Sequence, residues 1–203
     1  MRYTFSKNRV ETFSDGIFAI IITLLVLEIK VPEIPNHHST SDLFIALLGL
    51  LPKLISWGIS FFTIAVIWTN HHKIFNQIRQ FDSGLFWWNT FLLFWCTFIP
   101  FPTAVMGDYP DNRSSILLYG TIMAFMALSF TMMRFYALKN KNVLIENIDI
   151  IRFKKGTTLS LTFGPIAYLS GTALGFIHPY IAFLIFAGIP FYFIFYDTKG
   201  KES

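Results

Sequence analysis

Charge is scarce in this chain of 203 residues. Only 14% are Asp, Glu, Lys or Arg, against roughly a quarter in soluble domains. With 54% hydrophobic residues and 24 phenylalanines, an ordinary water-soluble domain is excluded. Cysteine is nearly missing: Cys96 stands alone inside an apolar run, so no disulfide framework exists. No cleavable leader is expected, because the first apolar run is too long, contains Glu28 and is not followed by a small-residue cleavage site. No segment repeats, which argues against an inverted-repeat transporter. The middles of the apolar runs carry no convergent His, Asp, Glu or Ser/Lys groups, so an intramembrane enzyme lacks its residues. Proton-coupled transport lacks its midplane charges. His71 and His72 are adjacent and project about 100° apart on a helix, a poor chelate beside the i, i+4 spacing. No metal site, no cofactor and no nucleic-acid partner are expected.

What is present is length and apolarity for six spans. They are read at about residues 13–31, 47–68, 84–105, 114–133, 157–176 and 179–195, in one all-α transmembrane domain covering 1–203. Pro32 and Pro35 end the first. Pro52 marks either the start of the second or a kink in it, Lys53 beside it reaches the interface, and a short helix from Asp42 precedes it. Pro100 and Pro102 disturb the third, and Pro165 is a kink candidate in the fifth. Residues 143–153 are read as a short interfacial helix. Thirteen of the 16 basic residues fall in the N-terminal tail, the second-to-third and fourth-to-fifth loops and the C-terminal tail; only Lys30, Lys53 and Arg113 fall opposite. The positive-inside rule then places both termini in the cytoplasm of a multi-pass cell-membrane protein. Arg152, Lys154 and Lys155 are placed to touch anionic lipid headgroups.

The first span holds the unusual residues. Arg9 and Asp15 stand at the mouth of a segment that otherwise reads as lipid-buried, where an unpaired charge costs roughly 3 kcal/mol on insertion scales. Ser14 and Asp15 are suited to satisfy free amides at a helix start, and Arg9 either to pair with Asp15 or to bond carbonyls of its own or a neighbouring helix. At about 100° per residue, Gly16, Ile20, Leu24 and Leu27 share one side and Thr23 flanks it. Periodicity alone fits lipid-facing or helix-packing residues as well as a pore.

The run Arg9-x-x-x-Phe13-Ser14-Asp15-Gly16, followed by an Ile/Thr/Leu-rich helix ending Leu27-Glu28-Ile29-Lys30-Val31-Pro32, resembles the first helix of the transmembrane protein 175 family of potassium channels. Trp68-Thr69-Asn70-His71 resembles that family's Trp-x-x-His on the second helix. The resemblance is specific over residues 9–32 and 64–75 and extends to the single-repeat bacterial branch. It implies a homotetramer in which the first helix of each subunit lines the pore. It also implies a hydrophobic constriction at Ile20, further layers at Leu24 and Leu27, and Thr23 near the constriction. Arg9, Phe13, Ser14, Asp15, Gly16, Trp68 and His71 become supports of that helix rather than ion ligands. Potassium would be the permeant ion, passed with modest selectivity through a gate that excludes water when narrow. The Thr-Val-Gly-Tyr-Gly loop of the common potassium filter is missing. A secondary transporter and a non-conducting scaffold are the alternative classes.

Overall fold

A computed structural model describes the backbone of residues 4–199 and the side chains of residues 5–195. The chain order is β1 (Thr4–Phe5), α1 (Lys7–Leu27), α2 (Thr40–Gly49), α3 (Leu51–Phe75), β2 (Phe81–Asp82), α4 (Ser83–Phe98), α5 (Pro100–Asp108), α6 (Arg113–Lys139), α7 (Ile150–Leu161), α8 (Ala167–Gly175) and α9 (Pro179–Lys199). Among the described residues, four rods are long and apolar enough to cross a membrane: Lys7–Leu27, Leu51–Phe75, Ser83–Asp108 and Arg113–Lys139. The 21 residues of α1 make a rod of ~31 Å, close to the thickness of a hydrocarbon core. Hydrocarbon offers no partner for a bare amide, so helix is enforced even where Gly16 and β-branched residues disfavour it.

Local chemistry sets the breaks. Pro52 sits in the first turn of α3, where its missing N–H is not needed. The Ser39 hydroxyl caps α2 by accepting from the Asp42 amide at 3.2 Å, in the place expected for a short helix. Pro100 and Pro102 divide the third rod into α4 and α5 at Ile99. The fifth rod is broken over Thr162–Ile166, where the helix widens, Gly164 leaves helical geometry (φ −97°, ψ −107°) and Pro165 follows. Its halves, α7 and α8, have 12 and 9 residues. In α9 the apolar stretch runs over Pro179–Phe195. The most buried of the four long rods is α6, which packs against α4, α5, α7 and α8.

One end of the bundle is tied by backbone pairing. Thr4 and Phe5 pair antiparallel with Asp82 and Phe81, and Phe5 stacks on Phe86 at 4.0 Å. The loop after α3 pairs with the loop after α6 through an Ile78–Leu144 bridge, with Arg79 N–H on Val143 O at 2.8 Å and Ile145 N–H on Gln77 O at 3.0 Å. Arg79 also meets Glu146 at 2.9 Å. The start of α1 and both basic loops therefore share one end. At the other end Lys53 pairs with Asp108. Residues 143–153 do not form one interfacial helix. Val143 and Leu144 are buried in the inter-loop bridge, and helix resumes only at Ile150 behind an Asp149 cap.

Candidate functional site

The first helix starts at Lys7, with Ser6 at its cap position, two turns earlier than its apolar pattern alone suggests. Arg9, Ser14 and Asp15 consequently lie inside the helix and cap nothing. Six residues on a helix turn about 120° away, so Arg9 and Asp15 point to different sides. Arg9 is exposed and Asp15 takes another partner: the Trp68 indole N–H donates to its carboxylate at 2.9 Å.

The two sides of α1 differ sharply. Val10, Ser14, Phe18, Ile21 and Leu25 are buried against the bundle. The opposite side carries Arg9, Phe13, Gly16, Ile20, Thr23, Leu24 and Leu27, all exposed, with Ile20 at 58% and Leu27 at 69%. Thus the four residues expected at a pore share a face that the chain itself leaves open. The Thr23 hydroxyl donates back to Ile20 O at 2.8 Å, which spends its proton inside the helix and leaves oxygen lone pairs outward.

The rotation of α1 is fixed by buried polar contacts near its N-terminal end. Ser14 Oγ donates to Val10 O at 2.8 Å and accepts from Asn89 Nδ2 at 3.0 Å. Asn89 Oδ1 lies 2.8 Å from His71 Nε2, and the His71 ring stands edge-on to Phe18 and tilted over Phe75. Ser14, His71 and Asn89 are essentially excluded from solvent. If the amide oxygen accepts, His71 carries its proton on Nε2. A relay Ser14–Asn89–His71 therefore joins α1, α4 and α3, and Asp15–Trp68 forms a second α1–α3 tie. Glu11 and His72 Nδ1, 3.7 Å apart, add a looser third.

Trp68 reaches α1 through Asp15, and His71 reaches it at the Phe18 ring and, through Asn89, at Ser14. Asn89 was the residue sequence reasoning missed; its signal was a lone amide inside the aromatic run Phe86-Trp87-Trp88-Asn89. Asp82 was missed too. It caps α4 at the Leu85 amide (2.9 Å) and accepts from Tyr136 Oη and Asn140 Nδ2, each at 2.7 Å. Deeper in the bundle, Ser60 Oγ meets Thr103 Oγ1 at 2.7 Å and Tyr119 Oη at 3.0 Å, so the buried hydroxyls satisfy one another. Arg134, read from sequence as a loop base, is buried on α6, bonded to Thr157 and to Phe153 O and stacked over the Phe153 ring. Among the described residues no group of three His, Cys, Asp or Glu side chains is placed to hold a metal.

These features define a helical membrane protein with one long helix locked in rotation on one side and uncovered on the other. A family model described as "Endosomal/lysosomal potassium channel TMEM175" matches residues 9–100. A potassium channel of Chamaesiphon minutus is 39% identical over 178 residues, covering 86% of this chain and 87% of that one. A potassium channel of a Chryseobacterium species is 30% identical over 98% of this chain and 97% of its own. The crystal structure of a lysosomal potassium-selective channel TMEM175 homolog from Chamaesiphon minutus superposes with a TM-score of 0.81 at 35% identity, covering 93% of this chain and 96% of that one. The chain belongs to the TMEM175 family, a family of ion channels and not of enzymes.

Proposed function

We propose that this chain forms a cation channel that passes potassium with modest preference over sodium, and that α1 lines its pore. The observation that carries the reading is the uncovered stripe of α1 on a helix whose other side is pinned by Ser14–Asn89–His71 and Asp15–Trp68. A lining helix needs such pinning, because rotation by one residue turns the face about 100° and exchanges the lining. The named activities of the relatives agree.

In this reading four copies surround one axis in the cell membrane. Each contributes six spans, the α7–α8 rod and α9 being the fifth and sixth, and both termini lie on the cytoplasmic side. Ile20 forms the narrowest ring, Leu24 and Leu27 form further rings, and Thr23 turns its hydroxyl oxygen toward the path. Arg9 and Phe13 sit on the same stripe at the cytoplasmic mouth. Narrow aliphatic rings expel water and leave an ion facing an unscreened low-dielectric barrier; a slight widening admits a file of water. Potassium, more weakly hydrated than sodium, loses less on passing. No carbonyl ladder replaces the hydration shell, so discrimination stays modest. No cofactor takes part.

The test is cation flux into liposomes holding the purified chain, in potassium and in sodium gradients. A channel gives voltage-driven flux without a countersubstrate, faster for potassium. Ile20→Asn raises that flux and narrows the difference between the ions, because a polar ring wets the constriction. Saturating flux that requires a coupling solute indicates a transporter, and no flux indicates a scaffold; either result contradicts the proposal.

A further inference from the structure

The polar ties that fix α1 lie near its N-terminal end, whereas Leu27 stands ~18 Å farther along the axis than Asp15. A rod pinned at one end can still swing at the other. Among the described residues, no side-chain hydrogen bond or ion pair joins the last two turns of α1 to another element. The wall they approach is firm. The Lys53 backbone of α3 packs on α5, where a Cβ on Gly107 would stand 2.9 Å from Lys53 Cα, and Ser60 meets Thr103 across the same two helices. Between this wall and the end of α1 lies a small cavity, lined by Glu28, Ile29, Lys53, Trp57 and Thr103 among others. It gives the centre of a water molecule about 10 Å³ to occupy, room for one.

Two groups at this cavity are uncommitted. The Trp57 indole Nε1 is sealed from the surface and has no hydrogen-bond partner among the described residues. A tryptophan near a membrane surface ordinarily keeps that N–H wet, and a buried donor left alone is costly. Glu28, at the end of α1, is partly buried, and its carboxylate makes no hydrogen bond or ion pair with the described residues. The other polar side chains around the cavity are engaged: Lys53 pairs with Asp108, and Thr103 donates to Ile99 O and meets Ser60. Glu28 is therefore the side-chain acceptor that the cavity offers to Trp57. We infer that the Trp57 N–H bonds the Glu28 carboxylate through one water molecule held in this cavity. Glu28 and Trp57 are then positioning residues. They tie the far end of α1 to α3 as Asp15 and Trp68 tie the near end, and they hold Leu24 and Leu27 in place. The tie stands on this geometry alone; what it positions rests on the proposed channel.

The test is ultraviolet resonance Raman spectroscopy and thermal melting of the purified, assembled chain. Subtracting the Trp57→Phe spectrum isolates the Trp57 indole, whose N–H marker band reports a hydrogen bond. The unmodified chain and Glu28→Gln, which keeps an acceptor oxygen, show a bonded N–H; Glu28→Leu, which dries the cavity, shows a free one. Trp57→Phe and Glu28→Leu each lower the melting temperature, and the double variant falls no further than the larger single loss. A free N–H in the unmodified chain overturns the inference, as do additive losses. Glu28→Gln behaving like Glu28→Leu also overturns it, because the carboxylate then acts by its charge and not as an acceptor. In potassium and sodium gradients, Glu28→Leu brings the two fluxes closer together; an unchanged ratio overturns the positioning role. No flux from the unmodified chain contradicts the channel reading instead, and the spectra and melts still decide the tie. If Glu28→Leu does not assemble, the Trp57 band of the unmodified chain decides alone.

Discussion

Asn89 holds the strongest position of any single side chain around α1. Its amide nitrogen donates to Ser14 and its oxygen meets His71, so one residue connects three helices. Ser14 is less dependent on it, because the Ser14 proton already goes to Val10 O. His71 is buried and has Asn89 as the partner of its Nε2. Leaving a buried polar atom unpaired costs roughly 1–3 kcal/mol, somewhat less where membrane side chains find substitutes. Asn89→Leu is therefore expected to lower the melting temperature of the purified channel and the yield of assembled protein, with Ser14→Ala milder than it. Thermal melts in detergent check this; equal melts for Asn89→Leu and the unmodified chain would show that the relay does not hold α1. Ser14, Asp15, Trp68 and His71 were legible because they sit in a dense local motif. Asn89 was not, because its partners are 75 and 18 residues distant, and nothing in the spacing of one amide in an aromatic run encodes them.

Elements pack through small residues as well as through polar ones. Gly120 of α6 faces Thr172 of α8 so closely that an added Cβ would collide with the Thr172 hydroxyl and touch the Phe186 ring at 3.0 Å. Gly171 and Gly175 of α8 are crowded in the same way by Ile185 and Phe186, and by Ile116 and Ala182. Close backbone approach is the main source of helix association where no water is displaced. Gly120→Ala is expected to destabilise the channel by roughly 1–3 kcal/mol, and Thr172→Ala on the same chain to restore much of the loss. Urea or thermal melts of the single and double variants measure it; additive effects would deny the contact. Helix existence was readable from hydropathy; Pro165 marks a break as expected, and Pro52, which read equally as a start or a kink, marks a start. The ends were not readable. The first helix extends back to Lys7 and the fourth rod forward to Lys139 because β1 on β2, and Arg134 on Thr157 and Phe153, supply partners from distant segments. The inter-loop bridge that displaces the expected helix at 143–153 is a non-local pairing of the same kind.

The whole molecule is asymmetric about α1. The bundle buries one side of that helix and pins it near its N-terminal end, where the N-terminal strand and both basic loops gather. The other side, from Phe13 to Leu27, is left exposed by the described residues. The proposed channel takes its path from copies of that side meeting around an axis; the alternative is that lipid covers it. Thiol chemistry separates the two most directly. Cys96 is fully buried and supplies little background. In Ile20→Cys an ion path holds the new thiol in water, where the reactive thiolate forms. A charged, membrane-impermeant methanethiosulfonate reagent is then expected to modify that thiol and abolish potassium flux in liposomes. An Ile20→Cys channel whose introduced thiol stays unmodified during flux, or is modified with flux unchanged, would contradict a pore lined by α1.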